Sequence, residues 1–220
     1  APKGLTKVFY AENGASSVEI SLKMSFQYWQ QSGKPNKSKF VRVENGYHGD
    51  TIGAVSVGGI DRFHSLYNPL LFSTYVSPSP YCYRCPLKLT YPECGLSCAD
   101  QLGRILEDHN RDIAAVIVEA GVQAAGGIIT APLGYLHKLR ELCDHYDVHL
   151  IVDEVATGFG RTGDMFACEK ENVTPDLMVV GKGITGGYLP LSAVLTTEDL
   201  FNAFLGPYES FRTFFHGHTY

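Results

Sequence analysis

Two apolar runs in this chain each end in a charge. Leu150-Ile151-Val152 closes on the carboxylate of Asp153, and Leu177-Met178-Val179-Val180 closes on Gly181-Lys182-Gly183. A run without a polar face must be covered on both sides, as a central strand of a parallel sheet is when helices pack above and below it. The acid and the amine then fall at the carboxyl ends of two buried strands, the edge at which open α/β sheets bind ligands. Taken singly, each signal also has a structural reading: Asp after a strand caps a helix or forms a turn, and Gly-Lys-Gly is a common solvated loop.

The rest of the chain alternates as such a sheet requires. Strands are expected at 7–11, 40–43, 114–119, 148–153, 177–180 and 192–195, and helices at 16–30, 98–109 and 132–146. In the first helix Val18, Leu22, Ser25 and Trp29 fall on one face. Tyr47-His48-Gly49-Asp50-Thr51 reads as a polar loop opening a small-residue helix. Segment 69–98, rich in proline, reads as an irregular loop that covers something or carries function. No repeat or linker divides the chain, so residues 1–220 are expected to form one α/β domain with a mostly parallel central sheet flanked by helices.

With 220 residues and 45% apolar content the chain can bury one sizeable core. A net charge of −5, with 18 Lys and Arg in no basic stripe, argues against a nucleic-acid surface. No apolar run approaches a membrane span, and Ala1-Pro2-Lys3-Gly4 opens no signal peptide, so a soluble cytoplasmic protein is expected. Cys82, Cys85, Cys94 and Cys98 crowd one segment, but the spacing between the two pairs is short for a zinc ribbon. Reduced, partly buried thiols and no metal are expected there.

A carboxylate and an amine in one cleft suit pyridoxal 5′-phosphate (PLP), whose aldehyde takes a lysine as a Schiff base and whose ring nitrogen takes an acid partner. Gly14-Ala15-Ser16-Ser17, at a strand-to-helix turn, offers backbone N–H groups and a helix dipole to a phosphate, although glycine before a helix is often mere punctuation. Tyr47 could stack on a flat ring or belong to an ordinary turn.

Joint occurrence decides between these readings. The stretch from Leu150 to Gly163 (LIVDEVATGFGRTG), then Pro175-Asp176-Leu177 and the stretch from Gly181 to Pro190 (GKGITGGYLP), resembles the signature of the class III aminotransferases, PLP enzymes of fold type I. Gly46 to Thr51, Tyr81 to Pro86 and Phe215 to Tyr220 point to the branch that uses S-adenosylmethionine to aminate 8-amino-7-oxononanoate in biotin biosynthesis.

The resemblance implies that Lys182 forms the Schiff base and moves the proton, and that Asp153 pairs with the ring nitrogen. It implies that Tyr47 lies over the ring and touches substrate, that Gly14 and Ala15 bind the phosphate, and that Gly217 contacts substrate. His218 and Thr219 would reach the phosphate of a neighbouring subunit, which makes a homodimer the expected assembly. Two departures stand out: Ala15 replaces the family's usual serine, and Ala120 a favoured proline, expected to alter loop stiffness rather than chemistry. Family chains are about twice as long, so a central fragment is expected, without the N-terminal segment and C-terminal small domain that supply substrate contacts. Another ω-amino acid or diamine aminotransferase, or an inactive truncated PLP-fold domain, are the competing readings.

Overall fold

The computed structural model describes residues 1–217. In chain order the regular elements are β1 (Leu5–Ala11), α1 (Gly14–Gln31), β2 (Lys39–Val43), α2 (Ile52–Ser56), α3 (Asp61–His64), β3 (Tyr75–Ser77), α4 (Ser97–His109) and β4 (Ile113–Glu119). Then follow the hairpin strands β5 (Val122–Gln123) and β6 (Ile129–Thr130), α5 (Tyr135–His145), β7 (His149–Asp153), β8 (Leu177–Val180), β9 (Ser192–Thr197) and α6 (Glu198–Asn202). Seven strands form one sheet in the order β1-β9-β8-β7-β4-β2-β3. The pairs from β3 through β8 are parallel, whereas β9 runs antiparallel to both β8 and β1.

Strand parity divides the core into two layers, because successive side chains leave opposite faces of a sheet. Val116, Val118, Leu150, Val152, Met178 and Val180 pack on one face, where α4 and α5 bring Leu102, Leu106 and Leu139. Ile117, Ile151, Leu177 and Val179 pack on the other, where α1 brings Val18, Ile20, Leu22 and Trp29. Each of these buried aliphatic side chains contributes about 1.5–3 kcal/mol relative to exposure. The fully apolar sequences of β4, β7 and β8 follow from burial on both faces.

The long segment read as irregular departs from that expectation at β3, which pairs in parallel with β2 through Val41–Tyr75 and Val43–Ser77. A three-residue strand carries no periodicity of its own. It is set by its neighbours: the Tyr75 hydroxyl donates to Asp112 at 2.8 Å and the ring stacks on His109 at 4.4 Å. The helix expected from 132 begins at Tyr135, because Gly134 sits at φ +86°, outside the helical region.

Candidate active site

The same parity that sorts the core aims the acids. Asp153 follows Ile151 on the α1 face, and Glu119, its register partner on β4, follows Ile117 there. Two carboxylates therefore stand side by side at the carboxyl edge of the sheet, and the loop after β2 meets them differently. His48 Nδ1 lies 2.8 Å from Asp153 Oδ2, with both side chains almost fully buried. A carboxylate only accepts, so the imidazole donates from Nδ1. Asp153 Oδ1 accepts from the Val155 N–H at 2.9 Å. Glu119 is tied to backbone, accepting from Tyr47 N and Ala124 N at 2.9 Å each, and burial raises its carboxyl above the usual range.

Lys182 arrives from β8 in a strained turn. Its φ is +37°, in the left-handed region that costs a non-glycine residue about 1–2 kcal/mol. The flanking glycines let this turn lie close to its neighbours: a Cβ on Gly183 would come within 2.9 Å of Phe159, and one on Gly181 within 3.3 Å of Val155. Opposite, α1 begins at Gly14, capped by Asn13, whose side chain accepts from Ser16 N at 3.0 Å. The first amides of a helix have no intrahelical partner, so those of Gly14 and Ala15 are available to an anion. Gly49, at φ +124°, lets the Tyr47 loop press onto Ala15, since any Cβ there would overlap the Ala15 methyl.

These pieces enclose a cavity of about 750 Å³, within the range of small-molecule sites. Of the residues expected to form the site, Gly14, Ala15, Tyr47, Asp153 and Lys182 all line it. Among the described residues, Lys182 is the only Lys or Arg that does so. The Tyr47 hydroxyl donates to Asp50 Oδ2 at 2.7 Å, and its ring lies nearly parallel to His64. Burial first, and then the bond to Asp50, push the phenol up to about 12. Gly217 is not in this lining. The segment before it runs along α1, where Gln31 and Gln27 donate to Arg212 O and Lys23 Nζ donates to Phe215 O. His218 and Thr219 lie outside the described residues.

His48 and Glu119 escaped the sequence reading, although Glu119 ends an apolar run just as Asp153 does. Ala120 proves more than a change of stiffness, because its N–H, which proline lacks, donates to Asp153 O at 3.3 Å. Cys82, Cys85, Cys94 and Cys98 are free thiols around a void of about 10 Å³, and burial pushes Cys98 up to about 11. Among the described residues no group of three His, Cys, Asp or Glu is arranged to hold a metal ion. No helix among them is long and apolar enough to cross a membrane.

The sheet, and the lysine and acid it delivers to one cavity, belong to a known class. Residues 1–220 match the family model for aminotransferase class III, and the chain is a member of that family, whose cofactor is PLP. Two curated relatives, from Geobacter sulfurreducens and Aquifex aeolicus, are each 55% identical over 100% of this chain and 49% of their own length; both are adenosylmethionine-8-amino-7-oxononanoate aminotransferases. The crystal structure of the enzyme of that name from Methanocaldococcus jannaschii superposes with a TM-score of 0.92 at 44% identity, over 100% of this chain and 48% of that one. An amine transaminase from an uncultivated Pseudomonas species, in its PLP-bound form, also reaches 0.92, at 38% identity over 99% of this chain and 49% of that one. The chain spans about half the length of these relatives.

Proposed function

We propose that these residues are the cofactor-binding large domain of a longer PLP-dependent aminotransferase, which moves the amino group of S-adenosylmethionine to 8-amino-7-oxononanoate to give 7,8-diaminononanoate. The observation that carries this reading is the shared cavity of Lys182 and Asp153, with the relatives' names giving the substrates. The donor set fits the cofactor: the Lys182 amine, the buried Asp153 carboxylate with both oxygens already oriented, and a helix N-terminus across the cavity from them. PLP supplies an aldehyde that takes up amines and a ring that accepts the electrons of a carbanion.

Each residue then has a task. Lys182 Nζ holds the cofactor and carries the proton removed from the substrate carbon. The Asp153 carboxylate pairs with the ring nitrogen and keeps it protonated. The Gly14 and Ala15 amides hold the phosphate; the hydroxyl that serine would have added at position 15 is worth only about 1 kcal/mol. Tyr47, in the cavity wall, would contact the ring and the substrate. Gly217, His218 and Thr219 serve the cavity of the other subunit in a homodimer, consistent with Gly217 standing outside the cavity of its own chain. Six free cysteines fit a reducing cytoplasm.

The amine transaminase likeness favours one alternative, a different amine donor or ω-amino acceptor on the same domain. Full-length protein given 8-amino-7-oxononanoate with S-adenosylmethionine, lysine or a simple amine, and assayed by mass spectrometry, separates the two. Diaminononanoate formed with S-adenosylmethionine is expected; turnover of simple amines alone would replace the proposal with the alternative.

A further inference from the structure

A second strained residue stands against the Lys182 turn. Phe159 has φ +59°, a conformation that a bulky side chain rarely adopts. The next positions of positive φ in its loop, at +87° and +109°, are the glycines Gly160 and Gly163. Backbone hydrogen bonds hold Phe159 from both sides, Gly158 N donating to Glu154 O at 2.9 Å and Gly160 N to Met165 O at 3.2 Å. Behind them the buried Glu154 carboxylate accepts from Ala167 N and Cys168 N at 2.8 Å each, and so anchors the turn that follows Phe166. The Phe166 ring meets that of Phe159 edge to face, with 5.5 Å between centroids. The other side of Phe159 reaches Gly183: its Cβ, Cδ2 and Cγ stand 2.9, 3.1 and 3.3 Å from where a Gly183 Cβ would lie. Phe159 and Lys182 also line one cavity of about 670 Å³. Strained residues persist only where their surroundings over-determine them, and they gather at functional sites.

We propose that Phe159 is a positioning residue for the reaction, a brace that fixes the left-handed turn at Lys182 and so aims its Nζ into the cavity. The inference rests on the proposed function. Gly181 and Gly183 leave the Lys182 turn free to relax, and Phe159 packs against the second of them. Two adjacent carboxylates divide the labour at the end of β7. Asp153 lines the cavity, and Glu154 holds the backbone beside Phe166, the ring that backs the brace.

Two substitutions in the full-length protein separate bracing from packing. Leucine retains Cβ, Cγ and a Cδ toward Gly183, so Phe159→Leu keeps the brace. Glycine adopts a φ of this sign without strain, so Phe159→Gly removes the brace and leaves the loop conformation allowed. The share of bound PLP joined to Lys182 is counted by borohydride reduction and mass spectrometry. Steady-state assay gives kcat and KM, and the thermal midpoint of the apoprotein reports folding. With Phe159→Gly, kcat is expected to fall roughly 10- to 100-fold, the scale of misplacing a reacting group by about 1 Å, with KM nearly unchanged. A smaller share of the bound PLP should then be reducible onto Lys182. Phe159→Leu should stay near the parent in all of these readings. The proposal is overturned if Phe159→Gly matches the parent, if KM rises while kcat holds, or if Phe159→Leu falls as far as Phe159→Gly. Failure of Phe159→Gly to fold also overturns it, since Phe159 would then serve packing alone. If the parent itself takes up no PLP, the functional reading fails first and this inference goes with it.

Discussion

The two edges of the sheet use the same kinds of side chain for opposite ends. At the amino edge, Lys37 Nζ donates to the carbonyls of Asn110, Ile113 and Asp147 and lies 4.6 Å from the Trp29 ring centroid. Arg140 pairs with Asp176 and Asp144 at 2.8 and 2.7 Å, and Asp176 also accepts from Leu150 N. His149 stacks on Trp29 and bonds Ser25. There lysine, aspartate and histidine spend their hydrogen bonds on the fold. At the carboxyl edge the same three types are Lys182, Asp153 and His48, and they converge on an open cavity. Whether a charged residue serves stability or chemistry is decided by what remains for a ligand once the protein has satisfied it.

Substitutions at the two edges should therefore separate cleanly. Lys182→Ala in the full-length enzyme should cost on the order of 10⁴-fold in turnover, the upper range for losing a general acid–base group, with thermal stability kept. Steady-state assay beside calorimetry checks this, and Lys37→Ala should give the reverse pattern. Arg140→Ala strips Asp176 of its partner and should lower unfolding free energy by roughly 3 kcal/mol, at the low end for a buried pair because Asp176 is partly exposed; PLP binding by the folded fraction should be unchanged. Asp153→Asn should reduce turnover about 100-fold through loss of the anion at the ring nitrogen, while the urea midpoint barely moves. Loss of stability comparable to that of Arg140→Ala would erase the distinction between the edges.

The smallest effect concerns pH. Burial holds His149 neutral and lowers it from 6.5 to about 4. The unfolded chain therefore takes up a proton near pH 6.5 and the folded protein only near 4. This contribution is present above pH 6.5 and is lost as pH falls toward 4, amounting to about 2 kcal/mol by pH 5. Urea unfolding at pH 7.5 and 5 should show that loss, and His149→Gln should shrink it.

The amino-acid sequence made the carboxyl edge legible because its signal is local: an apolar run that ends in Asp153 or Lys182 states both burial and position. It did not say how two such acids would differ, since Glu119 ends its run in the same way. The difference comes from the amides of Tyr47 and Ala124, which bind Glu119, and from His48, which bonds Asp153 from 105 residues away in sequence. β3 was hidden for a related reason, because three residues take their conformation from the strand beside them. The helix α1 was legible from its spacing, and α4 and α5 from the alternation of strand-like and helix-like stretches, except where Gly134 delayed a start.

The pairing of β1 with β9 also sets an order of events during synthesis. Leu5 faces Thr197 and Ala11 faces Ser192, and among the described residues β1 has no other neighbour in the sheet. At about 5–20 residues per second, the first strand emerges from the ribosome roughly ten to forty seconds before its partner exists. The Ser192 hydroxyl, which donates to Asn13 O at 2.6 Å and lies 2.7 Å from Ser17 Oγ, fixes the start of α1 at that same late moment. The wall of the cavity is thus among the last parts of this domain to close, and a nascent chain halted before Ser192 should have no finished pocket in which to retain a cofactor.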